Sequence, residues 1–237
     1  MNSLLGIIPA RSGSKGIPNK NIKFLGDKPL LQYTIDTAIK SKIFDDIILT
    51  TDSKKIETLG KDLGLKNTLI RPSDLAMDET PMLPVINHAI DHFKENKYNP
   101  YYICILQPTS PFRRIEDLVS GYDIISKENC DSVVSVVQVP DHYSPEFLMR
   151  IDNNFLKNFL KSGSNITRRQ DVTKAYSRNG DFYFTKTDVV VNSNSIYGKK
   201  CRPFIIAEQD SVNLDTMEDW YRAEEIILRK KKDKYEF

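Results

Sequence analysis

The sequence predicts a three-layer α/β domain built on a mostly parallel β-sheet. Two observations lead there. Short apolar runs that suit buried strands alternate with amphipathic stretches of about a dozen residues. Such alternation builds βαβ units, whose sheet must be covered by helices on both faces. The second observation is size: 237 residues, 40% of them apolar, are enough for one substantial core, so a single domain over 1–237 is expected.

The elements follow in order. Leu4-Leu5-Gly6-Ile7-Ile8 is a strand ended by Pro9, and a segment rich in glycine, serine and lysine comes next. From Pro29 a helix is predicted, because Leu30, Leu31, Ile35, Ala38 and Ile39 share one face while Gln32, Asp36 and Lys40 share the other. Ile47-Ile48-Leu49 is a strand running out at Thr50-Thr51-Asp52, and Ile56, Leu59 and Leu63 stripe a helix that Gly64 closes. Thr80 before Pro81 has the form of an N-cap with proline at the first helical position, predicting a helix to about Phe93. Tyr101 to Leu106 reads as a strand stopped by Pro108 and Pro111, Ile115 to Lys127 as a helix, and Ser132 to Val139 as a strand of β-branched residues. After Pro140 the pattern breaks. From Asp141 to Thr185 the chain is polar and irregular apart from Phe182-Tyr183-Phe184, which suggests an inserted arm at about 141–190. Thr216 to Arg229 forms an amphipathic helix.

Charge narrows the function classes. The net charge of +2 comes from 34 basic and 32 acidic residues mixed along the chain, which argues against a nucleic-acid-coating surface. No positively charged leader precedes the short apolar run at Met1–Ala10, and no run approaches the roughly 20 apolar residues of a membrane span, so no membrane partner is expected. Cys104, Cys130 and Cys201 have neither disulfide density nor metal-ligand spacing, which suits a reducing cytoplasm. Arg229 to Lys234 reads as a solvated helix end. His88 and His92 are four apart on a helix but lack a zinc signature, and no Ser-His-Asp or Cys-His spacing appears.

In an open parallel sheet, ligands gather beyond the carboxyl ends of the strands, here the loops after Ile8, Leu49 and Leu106. The first runs from Pro9 to Asn21 and contains Gly13, Gly16, Arg11, Lys15 and Lys20. Small glycines let backbone N–H groups approach a phosphate, and the cations match its charge. It fits neither the Walker nor the G-x-G-x-x-G pattern, and a surface connection with solvated lysines is the competing reading.

Five ordered segments resemble the CMP-N-acylneuraminate cytidylyltransferases, a family that includes the legionaminate and pseudaminate enzymes. They are Ile8-Pro9-Ala10-Arg11 through Asn21, Arg71 to Ala76, Leu106 to Pro111, Arg169-Gln170-Asp171 with Tyr176, Asn179-Gly180 and Tyr183, and Ser211 to Thr216 with Asp219-Trp220. The resemblance covers nearly the whole chain. It implies a Rossmann-like fold of the nucleotide-diphosphosugar-transferase type that couples CTP, with Mg²⁺, to an acidic nine-carbon sugar. It implies that Ala10, Arg11, Ser14, Lys20, Asn21 and Arg71 bind the nucleotide, with Arg11 and Lys20 catalytic. Gln107, Arg169 and Tyr183 would bind sugar, Asp215 and Asn213 would hold metal, and the arm would join a homodimer in which Arg169 and Tyr183 complete the partner's site.

Each residue also has a plainer reading. Arg71 is a surface cation before a proline turn, Gln107 a turn residue serving nearby carbonyls, and Arg169 half of an ion pair within the chain. Asp215-Thr216-Met217-Glu218 has the form of a helix N-cap as well as of a metal ligand. The family has an acid where this chain has Asn213, and an amide brings no negative charge to a cation. A same-fold enzyme acting on a sugar 1-phosphate and a non-catalytic nucleotide-sugar sensor remain rival readings. The Arg169-Gln170 pair argues against the first, and Asn213 suggests the second.

Overall fold

Strand β1 (Leu4–Pro9) is buried along its entire length, as a parallel strand covered on both faces must be. The computed structural model describes residues 2–95, 98–161, 168 and 172–233. After β1 come a small hairpin of β2 (Phe24–Leu25) and β3 (Lys28–Pro29), helix α1 (Leu30–Ser41), β4 (Asp46–Thr51), α2 (Lys54–Asp62) and β5 (Asn67–Ile70). Then follow α3 (Met82–Glu95), β6 (Tyr102–Ile105), α4 (Ile115–Lys127) and β7 (Ser132–Gln138). The chain continues through β8 (Met149–Asp152), β9 (Phe155–Asn158), β10 (Tyr176–Lys186), α5 (Thr187–Ser193), β11 (Cys201–Ile206) and α6 (Met217–Asp233). Among the described residues no helix is long and apolar enough to cross a membrane.

The main sheet has strand order β11-β7-β10-β6-β1-β4-β5. All its pairings are parallel except those of β10, which runs antiparallel to β6 and to β7. Alternation along each strand sends side chains to two cores. Leu4 and Ile8 pack with Leu31 and Ile35 of α1, Ile56 of α2 and Leu118 of α4, while Leu5 and Ile7 pack with Ile86 and Ile90 of α3 and Val190 of α5. The expected three layers are therefore present. A third cluster joins Ile17, Leu25 and Leu30 to Val212, Leu214 and Trp220, and it docks α6 beside the first loop.

Three local expectations change. Ile39 is 42% exposed, because the buried stripe of α1 is narrower than the apolar one. Helix α3 starts at Met82, and the Thr80 hydroxyl donates to the Asp74 carbonyl (2.7 Å) instead of capping the helix. The stretch read as an arm, about 141–190, divides in two. Met149–Asn158 forms a separate hairpin, but Tyr176–Lys186 is a full strand of the main sheet and α5 packs on it. Its apolar centre marked the strand, and its polar first residues hid where it begins.

Candidate active site

The loops after β1, β5 and β6 leave the same edge of the sheet and enclose a cleft of about 420 Å³. Its lining includes Arg11, Ser14, Lys20, Asn21, Arg71, Gln107, Asn213 and Asp215. Residues from both ends of the chain thus meet at one place. Ala10 lies behind the wall, fully buried, with its N–H on the Thr50 carbonyl at 2.9 Å.

The glycine at position 16 permits this meeting. A β-carbon there would lie 2.0 Å from the Asp215 carbonyl oxygen, so only glycine lets the first loop pack against the 211–216 segment. Lys20 spans the same junction, donating to the Leu214 carbonyl at 2.8 Å with its ammonium 3.7 Å from Asp215. Burial draws the Lys20 pKa below its ordinary value, Asp215 opposes that shift, and Arg11 adds to it. Asn21 is buried and its amide donates to the Arg11 carbonyl at 2.8 Å, so it braces the loop that presents the cations.

Arg71 is 5% exposed, and its Nε is buried without a hydrogen-bond partner. Burial lowers the guanidinium's pKa and the Asp52 carboxylate opposes the shift. A surface cation would be solvated; this one is desolvated beside a cleft and leaves a donor unused. Asp52 is held by the Ser12 amide (2.8 Å) and the Ser12 hydroxyl. Asp78, which no sequence pattern singles out, lines the cleft and pairs with Arg11 and, at 2.9 Å, with Lys15.

The competition at Asp215 resolves toward the cleft. Thr216 and Asp219 cap α6 reciprocally: Asp219 accepts from the Thr216 amide (2.7 Å) and hydroxyl (2.8 Å), and its own N–H donates to the Thr216 hydroxyl at 3.2 Å. Asp215 is released from capping, and its side chain is 66% exposed and accepts from the Asn213 amide at 2.6 Å. Among the described residues no group of three His, Cys, Asp or Glu could hold a metal.

The sugar-side residues divide. Gln107 lines the cleft, whereas Tyr183 is 6% exposed, sits opposite Ile105 within the sheet and packs in the core on the α3 side. Arg169 lies outside the described residues, and Arg168 is exposed.

A mostly parallel sheet with a glycine-bearing cationic loop at its carboxyl edge, a buried arginine with an unused donor and a carboxylate–amide pair facing them defines an α/β protein with a cleft where ligands of this fold class gather. The comparisons narrow the class. A family model described as cytidylyltransferase matches residues 5–218, and the chain belongs to that family. An N-acylneuraminate cytidylyltransferase of Escherichia coli is 32% identical over 235 residues, covering 98% of this chain, which spans only 53% of that relative. A CMP-N,N'-diacetyllegionaminic acid synthase of Legionella pneumophila is 30% identical over 227 residues, covering 94% of this chain and 96% of the relative. Among solved structures, CMP:2-keto-3-deoxy-manno-octonic acid synthetase complexed with CTP superposes with a TM-score of 0.72 over 96% of this chain and 99% of that one; at 14% identity this likeness speaks to the fold.

Proposed function

We propose that the protein transfers the cytidylyl group of CTP to the anomeric hydroxyl of a nine-carbon keto sugar acid of the sialic, legionaminic or pseudaminic type, releasing pyrophosphate. The observation that carries this reading is the buried Arg71, whose Nε has no hydrogen-bond partner, beside the Arg11–Lys20 loop. The family, and relatives named for acidic nine-carbon sugars, supply the nucleotide and the acceptor class.

The acceptor oxygen attacks the α-phosphorus, the bond to the pyrophosphate oxygen breaks, and the hydroxyl proton passes to solvent water. Arg11, Ser14 and Lys20 hold the triphosphate, with Asn21 bracing the loop, and Arg11 and Lys20 stabilise the charge that develops as pyrophosphate leaves. Arg71 takes the base and ribose end, and Gln107 faces the sugar. Asp215 and Asn213 offer one carboxylate and one amide oxygen, a donor set that suits Mg²⁺ when substrate phosphates and water complete its shell. Bound there, Mg²⁺ would neutralise and orient the phosphates.

A homodimer belongs to the same reading. The β8–β9 hairpin exposes Ile151 by 76%, Phe155 by 71% and Leu156 by 67%, an apolar surface suited to a second copy of the chain. The cytoplasm is the proposed setting.

The test is pyrophosphate release by the purified protein with Mg²⁺ and each of CTP, UTP, GTP and ATP, against sialic, legionaminic and pseudaminic acids and hexose 1-phosphates. Release with CTP and one sugar acid is expected. Release only with a sugar 1-phosphate, or CTP binding without turnover, would overturn the reading.

A further inference from the structure

The antiparallel direction of β10 has a consequence at the cleft. Because Tyr183 pairs with Ile105, the residues just before it lie at the carboxyl end of β6, beside Gln107. There β10 departs from its ladder with β7: the register runs from Arg178 opposite Val136 to Tyr183 opposite Val134, leaving Asn179 to Phe182 as a bulge. A bulge forfeits its ladder hydrogen bonds, and buried carbonyls need other donors. Side chains supply them. The Ser110 hydroxyl donates to the Asn179 carbonyl (2.9 Å), Ser135 donates to that of Phe182 (3.0 Å), and Arg113 serves those of Gly180 (3.5 Å) and Asp181.

Arg113 reaches further than the bulge. Its guanidinium, in a residue 4% exposed, also donates to the Gln107 carbonyl at 2.7 Å and the Thr34 hydroxyl of α1 at 3.1 Å. One planar fork therefore joins the Gln107 loop, the bulge and a helix. Gly180 stands at φ +81, and a β-carbon on it would lie 2.5 Å from the Gln107 side-chain oxygen. The Gln107 amide rests in the space that the missing side chain leaves.

We propose that Arg113 is a positioning residue for the acceptor, clamping the Gln107 loop onto the Asn179–Phe182 bulge so that the Gln107 amide, seated against Gly180, holds one place in the cleft. This rests on the reading that Gln107 faces the sugar. Arg113 touches no reacting atom; it acts through Gln107.

The test is initial-rate kinetics of Arg113→Lys, Gly180→Ala and Gln107→Ala, with CTP and acceptor varied separately and thermal unfolding recorded for each. Lysine keeps the charge but cannot serve four oxygens, and the alanine methyl meets the Gln107 amide head-on. Both variants are expected to raise the KM for the acceptor about tenfold and leave the KM for CTP within about twofold. If Arg113→Lys fails to fold, Gly180→Ala decides. Equal changes in both KM values, or none in either variant, overturn the proposal. If Gln107→Ala raises the acceptor KM while the other two do not, the positioning role fails alone; if Gln107→Ala leaves the acceptor KM unchanged, the assignment of Gln107 to the sugar fails with it.

Discussion

Lys20 joins charge to architecture, since its ammonium both faces the cleft and ties the first loop to the Leu214 carbonyl. Replacing it with methionine keeps the aliphatic stem and removes the charge. We expect kcat/KM for pyrophosphate release to fall by about 10² to 10³, the scale for losing one preorganised charge-stabilising donor. Asp78 works in the other direction. Its carboxylate pairs with Arg11 and Lys15 of the first loop, so Asp78→Ala should tighten CTP binding several-fold by calorimetry; weaker binding would make Asp78 an orienting partner instead. Asp181 contributes pH dependence. Burial pushes its pKa from 3.8 up to about 6, against the pull of Arg113 and Asn179. Between those values the folded chain holds a proton that the unfolded chain releases, so this group's contribution to stability declines as pH rises through the interval and stays reduced above it. The interval is worth at most about 3 kcal/mol. Asp181→Asn should abolish it, so the wild-type unfolding midpoint should fall relative to the variant's as pH is raised from about 4 to about 7.

At the scale of elements, the contact of Gly16 with the Asp215 carbonyl is the narrowest tolerance in the cleft. Gly16→Ala must drive the first loop away from the 211–216 segment. Activity should be lost with only a modest drop in the unfolding midpoint, because this close contact lies outside the two cores that flank the sheet. Helix α4 and strands β4 and β6 were legible in the sequence because their apolar periods are intact: Ile115–Lys127 is helical over the expected residues, and β4 and β6 fall within a residue of their expected ends. β5 and β11 escaped because their residues are mixed; β5 is half-buried throughout, and β11 exposes most of its length at the sheet edge. The lining of the cleft was legible where residue type announces chemistry, as in the first loop and Arg71. Asp78 and Arg113 escaped because their roles come from partners 67 and 68 residues away in sequence, such as Arg11 and Asp181. The strand position of Tyr183 sends its ring into the core, a placement the motif alone does not show.

For the whole molecule, assembly has a physical handle. Ile151 and Phe155 lie on opposite strands of a hairpin that has no core of its own, and both are largely exposed. Ile151→Glu should convert a dimer to a monomer in sedimentation velocity; if the partner's arm completes the site, turnover should fall with it while CTP binding persists. The placement of α6 bears on how the protein comes into being. Lys20 and its Leu214 partner are 194 residues apart, and the cluster around Trp220 seats that segment against the loop. A chain emerging from the ribosome carries the cations of the first loop well before the 211–216 segment that faces them. A cleft with both walls therefore exists only once that segment has emerged and docked on the first loop.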